Sequence, residues 1–113
     1  MYTYNAIIVR VVDGDTVIAD IDLGFNIWQR NQSIRLSGIN APELKGSTLE
    51  AGKESKKFLE NMVLSKRVIL RTEKDHKEKY GRLLGNIQIE EDKNMIEINR
   101  KMIAEGHAVA YKA

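Results

Sequence analysis

Between Tyr4 and Val12 the run Asn-Ala-Ile-Ile-Val-Arg-Val-Val is rich in β-branched residues and stops at the turn dipeptide Asp13-Gly14, which predicts a buried strand entering a tight turn. Beyond the turn Val17, Ala19, Ile21 and Leu23 alternate with Thr16, Ile18, Asp20 and Asp22, the period of a strand with one face in a core, so the two segments form a hairpin. Residues 24–32 carry a glycine, two asparagines and no sustained period; a loop is expected there, with Phe25, Ile27 and Trp28 packing back on the body. For Trp28 a plug is the favoured reading, a base-stacking platform the alternative. A third strand has Ile34 and Leu36 on one face and Arg35 and Ser37 on the other, and Gly38 is expected to be a bulge that re-aims Asn40-Ala41-Pro42-Glu43.

Ser47-Thr48-Leu49-Glu50 has the form of a capping box, and Phe58, Leu59, Met62 and Val63 recur at helical spacing opposite Lys53, Lys56, Lys57 and Glu60. An amphipathic helix over residues 48–64 follows. A fourth strand is expected over residues 67–72, then a charged loop over 73–81, then a fifth strand marked by Leu83, Gly85, Ile87 and Ile89. Asn99 is placed to cap a short helix whose Ile103 staples to Ile98, Gly106 terminates it, and residues 109–111 add a last short strand. Five short strands with a helix between the third and fourth is the order of an OB-fold, a five-stranded β-barrel with two or three α-helices, of α+β class, and an order that many other small α+β domains share.

With 113 residues, 42% apolar and 30% charged, residues 1–113 are expected to form a single domain with a real core, and wholesale disorder is excluded. One proline, eight glycines and no long apolar run exclude collagen-like and helical membrane-spanning readings. Without cysteine there is no disulfide scaffold and no thiolate metal site, so a metal would be held by oxygen or histidine. The start Met1-Tyr2-Thr3-Tyr4-Asn5 lacks a secretory signal, so the chain as written is expected to be cytoplasmic, and secreted only if it is a mature fragment. Eighteen Lys and Arg against sixteen Asp and Glu give a net charge of only +2, so distribution matters more than balance. Basic residues crowd 53–57, 66–71 and 74–82 with acidic residues interleaved, which suits a solvated face and a phosphate-tracking one equally.

Singly, the polar residues at the strand ends are ordinary: Asp13 and Asp15 flank a glycine turn, Arg35 lies on an exposed strand face, and Glu43 follows a proline. Taken together, carboxylate and amide oxygens at neighbouring strand ends suit a hard cation, and arginines beside them suit a phosphate. Arg82 in Tyr80-Gly81-Arg82 supplies a second guanidinium if its strand is adjacent. That combination points to metal-assisted phosphodiester chemistry. His76 and His107 have no ligand-spaced partner and are read as surface or packing residues.

The order of these pieces resembles the thermonuclease, or staphylococcal nuclease-like, domain family. The resemblance is carried by Val11-Val12-Asp13-Gly14-Asp15-Thr16, by residues 34–43, by Gly52-Lys53, by Lys79-Tyr80-Gly81-Arg82, and by Asn99 through Gly106 to Ala110-Tyr111. It implies an OB-type barrel with a Ca2+-dependent nuclease activity on single-stranded DNA and RNA that leaves 3′-phosphate ends. The chain is expected to act as a monomer without membrane attachment. By match of motif, Asp15, Asn40 and the Ala41 carbonyl would be calcium ligands, with Asp13 and Thr16 supporting them. Glu43 would orient or deprotonate the attacking water, Arg35 and Arg82 would hold the scissile phosphate, and Lys79, Tyr80 and Tyr111 would position the nucleotide. The family's best-known member has aspartate at the position of Asn40 and threonine at that of Ala41, and it continues into a long carboxy-terminal helix. Two other readings compete: a barrel that binds nucleic acid without cutting it, supported by Asn40, and one that binds a protein through the Trp28 loop.

Overall fold

The computed structural model describes residues 2–77 and 81–111, the side chains of 73–77 excepted. The chain runs β1 (Tyr2–Asp13), β2 (Thr16–Asp22), β3 (Trp28–Leu36), β4 (Ile39–Asn40), a 3-10 turn (Gly46–Thr48), α1 (Leu49–Val63), β5 (Arg67–Lys77), β6 (Leu83–Glu91), β7 (Asn94–Glu97), α2 (Ile98–Ala104) and β8 (Val109–Ala110). Strands β3, β2, β1, β5 and β6 lie side by side, and β3 pairs again with β6, so five strands close into a ring with β7 appended to β6. All neighbours are antiparallel except at the closing seam, where Ile34, Arg35 and Leu36 run parallel to Leu83, Leu84 and Gly85. β4 and β8 form a separate two-stranded ribbon. This is the mostly antiparallel, OB-like α+β barrel that the strand order predicts.

The period-2 pattern does its expected work. Val17, Ala19 and Ile21 of β2, Ile34 and Leu36 of β3, Val68 and Leu70 of β5, and Ile87 and Ile89 of β6 point into the ring and are buried. Leu59 and Val63 of α1 and Ile98 and Met102 of α2 close over the same core. Each large aliphatic side chain so buried contributes about 1.5–3 kcal/mol before chain entropy is counted against it.

Several expectations require correction. β3 begins at Trp28, inside the expected loop, because Gln29, Gln32 and Ser33 satisfy their backbone groups against β2 whatever their side chains prefer. The hairpin tip holds Phe25 at 97% exposed and Ile27 at 55%, so neither packs back on the body, and Leu23 drops out of the core alternation at 45%. Trp28 is half-buried, with the Arg30 guanidinium 5.0 Å from its ring centroid. Gly38 sits in a tight turn with φ +79 rather than in a bulge, though the turn does re-aim β4. β5 continues to Lys77 through what reads as loop, and β7 is an unforeseen strand reached through Asp92 and Lys93, both at positive φ. The expected capping devices are absent at both helices. Thr48 precedes α1 without a side-chain cap bond, and Asn99 lies inside α2 behind Glu97.

Candidate active site

The β1–β2 turn sets the geometry of one end of the barrel. The Asp15 amide donates to Asp13 Oδ1 at 3.0 Å, the local hydrogen bond an aspartate makes two residues before a turn amide. Gly14 lies so close to the next layer that a Cβ there would come within 2.7 Å of the Cβ atoms of both Ala41 and Ser55. Only glycine lets the turn dock beneath β4 and α1, and that docking lowers Asp15 into a pocket where it is 7% exposed.

A buried carboxylate needs donors, and Asp15 has them on both oxygens. Its Oδ2 accepts from the Ala41 amide at 2.8 Å and stands 3.6 Å from Arg35 Nη1; its Oδ1 accepts from the Thr16 hydroxyl at 3.2 Å. The Thr16 Oγ1 in turn accepts from Arg82 Nη1 at 3.3 Å. Arg35 also donates to the Leu36 carbonyl at 3.0 Å and to Asn40 Oδ1 at 3.4 Å, and its guanidinium lies 6.0 Å from the Tyr111 ring centroid. Thus Asp15, Thr16, Arg35, Asn40, Ala41, Arg82 and Tyr111 gather at one place, brought from β2, β3, β4, the segment before β6 and the end of β8. Burial pushes the Asp13 carboxyl up to about 6, and its hydrogen bond with the Asp15 side chain adds to the rise.

Glu43 stands apart. Its side chain is 71% exposed and its Oε2 lies 3.5 Å from Lys45 Nζ. Its backbone, by contrast, is fixed: the carbonyl accepts from the Thr48 hydroxyl at 2.8 Å, and a Cβ on Gly52 would come within 2.6 Å of that same oxygen. Thr48 and the first turn of α1 therefore hold the Glu43 main chain and leave its carboxylate exposed beside Lys45, a role for Thr48 and Gly52 that no local motif announces. Lys79 and Tyr80 lie outside the described residues. His107 stacks on Phe58 at 4.4 Å and its carbonyl accepts from the Ser55 hydroxyl at 2.6 Å, a packing role.

Asp15, the Asn40 amide oxygen and the Ala41 carbonyl form an all-oxygen donor set, which fits a hard cation in kind and leaves most of its six to eight positions to water. The set carries a single formal charge, and the Arg35 guanidinium lies beside two of its members. Among the described residues no three acidic or histidine side chains come together. A cation held here would therefore depend on water more than on protein ligands.

The profile of the family described as Staphylococcal nuclease homologue matches residues 33–113 of this chain. An uncharacterized protein of Methanocaldococcus jannaschii is 32% identical to it in an alignment covering 96% of the chain and 59% of that protein. Thermonucleases of Staphylococcus hyicus and Staphylococcus intermedius are 34% and 33% identical, covering 91% and 89% of the chain and 57% and 56% of their own lengths. The chain thus spans under three-fifths of the length of these relatives.

Proposed function

The chain belongs to the staphylococcal nuclease family, and on that premise we propose that it is a Ca2+-dependent nuclease hydrolysing single-stranded DNA and RNA to 3′-phosphate ends. The observation that carries the reading is the continuous set of contacts from Arg35 through Asp15 and Thr16 to Arg82, which gathers two guanidinium groups and a carboxylate from distant parts of the sequence. Two arginines around one phosphate supply the positive charge that a pentacoordinate transition state needs on its equatorial oxygens. Leaving the phosphate on the 3′ side requires water to attack phosphorus while the bond to the 5′ oxygen breaks. Glu43, exposed in side chain and anchored in backbone, is the acceptor for the water's proton. A divalent ion held by Asp15, Asn40 and Ala41 supplies Lewis-acid charge when bound. Arg35 stacked near Tyr111 orients the phosphate toward a nucleoside face, with Lys79 and Tyr80 assigned to the same task.

The test is cleavage of heat-denatured DNA and of RNA with calcium and in excess chelator. Cleavage is expected only with calcium, and Arg82→Ala or Glu43→Ala should lose on the order of 10² to 10³ in rate or more. A barrel that binds single strands without cutting them is the second reading, favoured by Asn40, whose neutral oxygen already accepts from Arg35. Metal-independent binding with no cleavage under any divalent ion decides for it.

A further inference from the structure

We propose that a second phosphate of the same nucleic-acid strand binds between Arg71 and Arg100, on the outer face of the barrel beyond the cleavage site. This rests on the nuclease reading and extends it.

Arg71, Asn86, Ile87, Glu97, Asn99 and Arg100 line a pocket of about 220 Å³ where β5, β6 and α2 meet. Its chemistry suits an oxyanion. Among the described residues the side chains of Arg71 and Asn86 have no hydrogen-bond or ion-pair partner, although their backbones are registered opposite one another on β5 and β6. Arg100 meets Glu97 Oε2 at Nε, 3.5 Å away, on a side chain that is 86% exposed and so can turn its terminal nitrogens to a bidentate contact. Glu97 does not cancel this charge, because two arginines and one carboxylate line the pocket and the other Glu97 oxygen already accepts from Gln88 at 3.1 Å. Asn99 is spent on the backbone: its amide donates to the Ser37 and Gly85 carbonyls and its oxygen accepts from the Ile87 amide. Asn99 thus builds the floor, and Arg71, Asn86 and Arg100 are its free donors.

Strand β6 runs from the cleavage site to the pocket. Gly85, Ile87 and Ile89 face inward on β6, so Leu84, Asn86 and Gln88 face outward, and Arg35 is registered beside Leu84 across the seam. A strand held at Arg35 and Arg82 and passing over Leu84 reaches Asn86 after four residues of β6, about 13 Å. Barrels of this type engage single strands over about 4–16 nucleotides, more than one phosphate clamp can hold. Arg71 also belongs to one of the basic clusters of the sequence that the cleavage site leaves unused.

The experiment measures binding by fluorescence anisotropy in chelator, using a labelled oligothymidylate dinucleotide and an octanucleotide across a salt series. The double variant Arg71→Gln/Arg100→Gln should bind the octanucleotide about tenfold more weakly and flatten its salt dependence by about 0.7 in log–log slope, one phosphate's worth. Its dinucleotide binding and thermal unfolding should match the wild type, and Arg71→Lys should recover part of the loss because a point charge still serves a phosphate. Equal octanucleotide binding by the double variant and the wild type overturns the second site and leaves the nuclease reading intact, as does an equal loss on both probes. If the wild type binds neither probe in chelator the second site is overturned, and the nuclease reading fails with it only if calcium also supports no cleavage of the octanucleotide.

Discussion

Asp20 shows how much a single residue on this barrel can settle by hydrogen bonding alone. Its Oδ1 accepts from the Asn31 amide and its Oδ2 from Arg30 Nη1, both at 2.9 Å, and these bonds hold its carboxyl below the ordinary 3.8, the Asn31 amide contributing most. A carboxyl depressed on folding adds stability above its unfolded value and loses it as pH falls through its folded one. The melting temperature of Asp20→Asn should therefore lie below wild type near neutral pH, and the gap should close as the solution is taken well below pH 4. At Asn40 the effect is on metal rather than folding. Asn40→Asp adds a charge next to Asp15, worth a few kcal/mol at most at an intermediate dielectric and opposed by Arg35. The calcium concentration for half-maximal cleavage should drop by about tenfold or more; an unchanged or higher requirement removes Asn40 from the ligand set.

At the scale of elements, burial was legible wherever one face of a strand meets the core, since Val17, Ala19, Ile21, Ile34, Leu36, Leu70 and Ile87 obey a two-residue period. Legibility failed where backbone pairing acts without apolar side chains. Gln29 and Gln32 extend β3 because β2 offers them partners, and β7 forms on a turn of Asp92 and Lys93 without the glycine that such turns favour. The candidate site was legible as residue types at strand ends, because Asp15, Arg35 and Arg82 are costly to bury without purpose. The support of Glu43 was not, since a glycine inside a helix gives no hint of what lies against it. Gly52→Ala makes that hidden contact measurable. The new methyl meets the Glu43 carbonyl, backbone that cannot rotate away, so the loop must shift at a cost of about 1–3 kcal/mol. Lower stability should come with a fall in kcat larger than any change in KM, because the displaced group acts on the water rather than on substrate binding.

For the molecule as a whole, the candidate site straddles the one place where the barrel is closed by parallel pairing. Arg35 lies on β3 and Arg82 just before β6, so their separation is set by a seam of three residue pairs, Ile34 to Leu83, Arg35 to Leu84 and Leu36 to Gly85. That short seam is reinforced from outside by the Asn99 amide, which donates to Ser37 just past β3 and to Gly85 on β6 while its oxygen accepts from Ile87. An Asn99→Ala change leaves buried backbone groups partly unsatisfied, at about 1–3 kcal/mol for such a loss, and it loosens the contact that spaces the two arginines. Val63→Ala, at the far end of α1, removes core packing of similar worth without touching the seam. Both variants should melt below the wild type. If the seam sets the arginine spacing, cleavage assayed well below either melting temperature should fall with Asn99→Ala and stay near wild type with Val63→Ala. Hydrogen exchange should show the amides of residues 36 and 37 losing protection in the first variant alone. Equal activity in the two proteins would mean that Arg35 and Arg82 are held by Asp15 and Thr16 themselves, and that the barrel's closure is a matter of stability only.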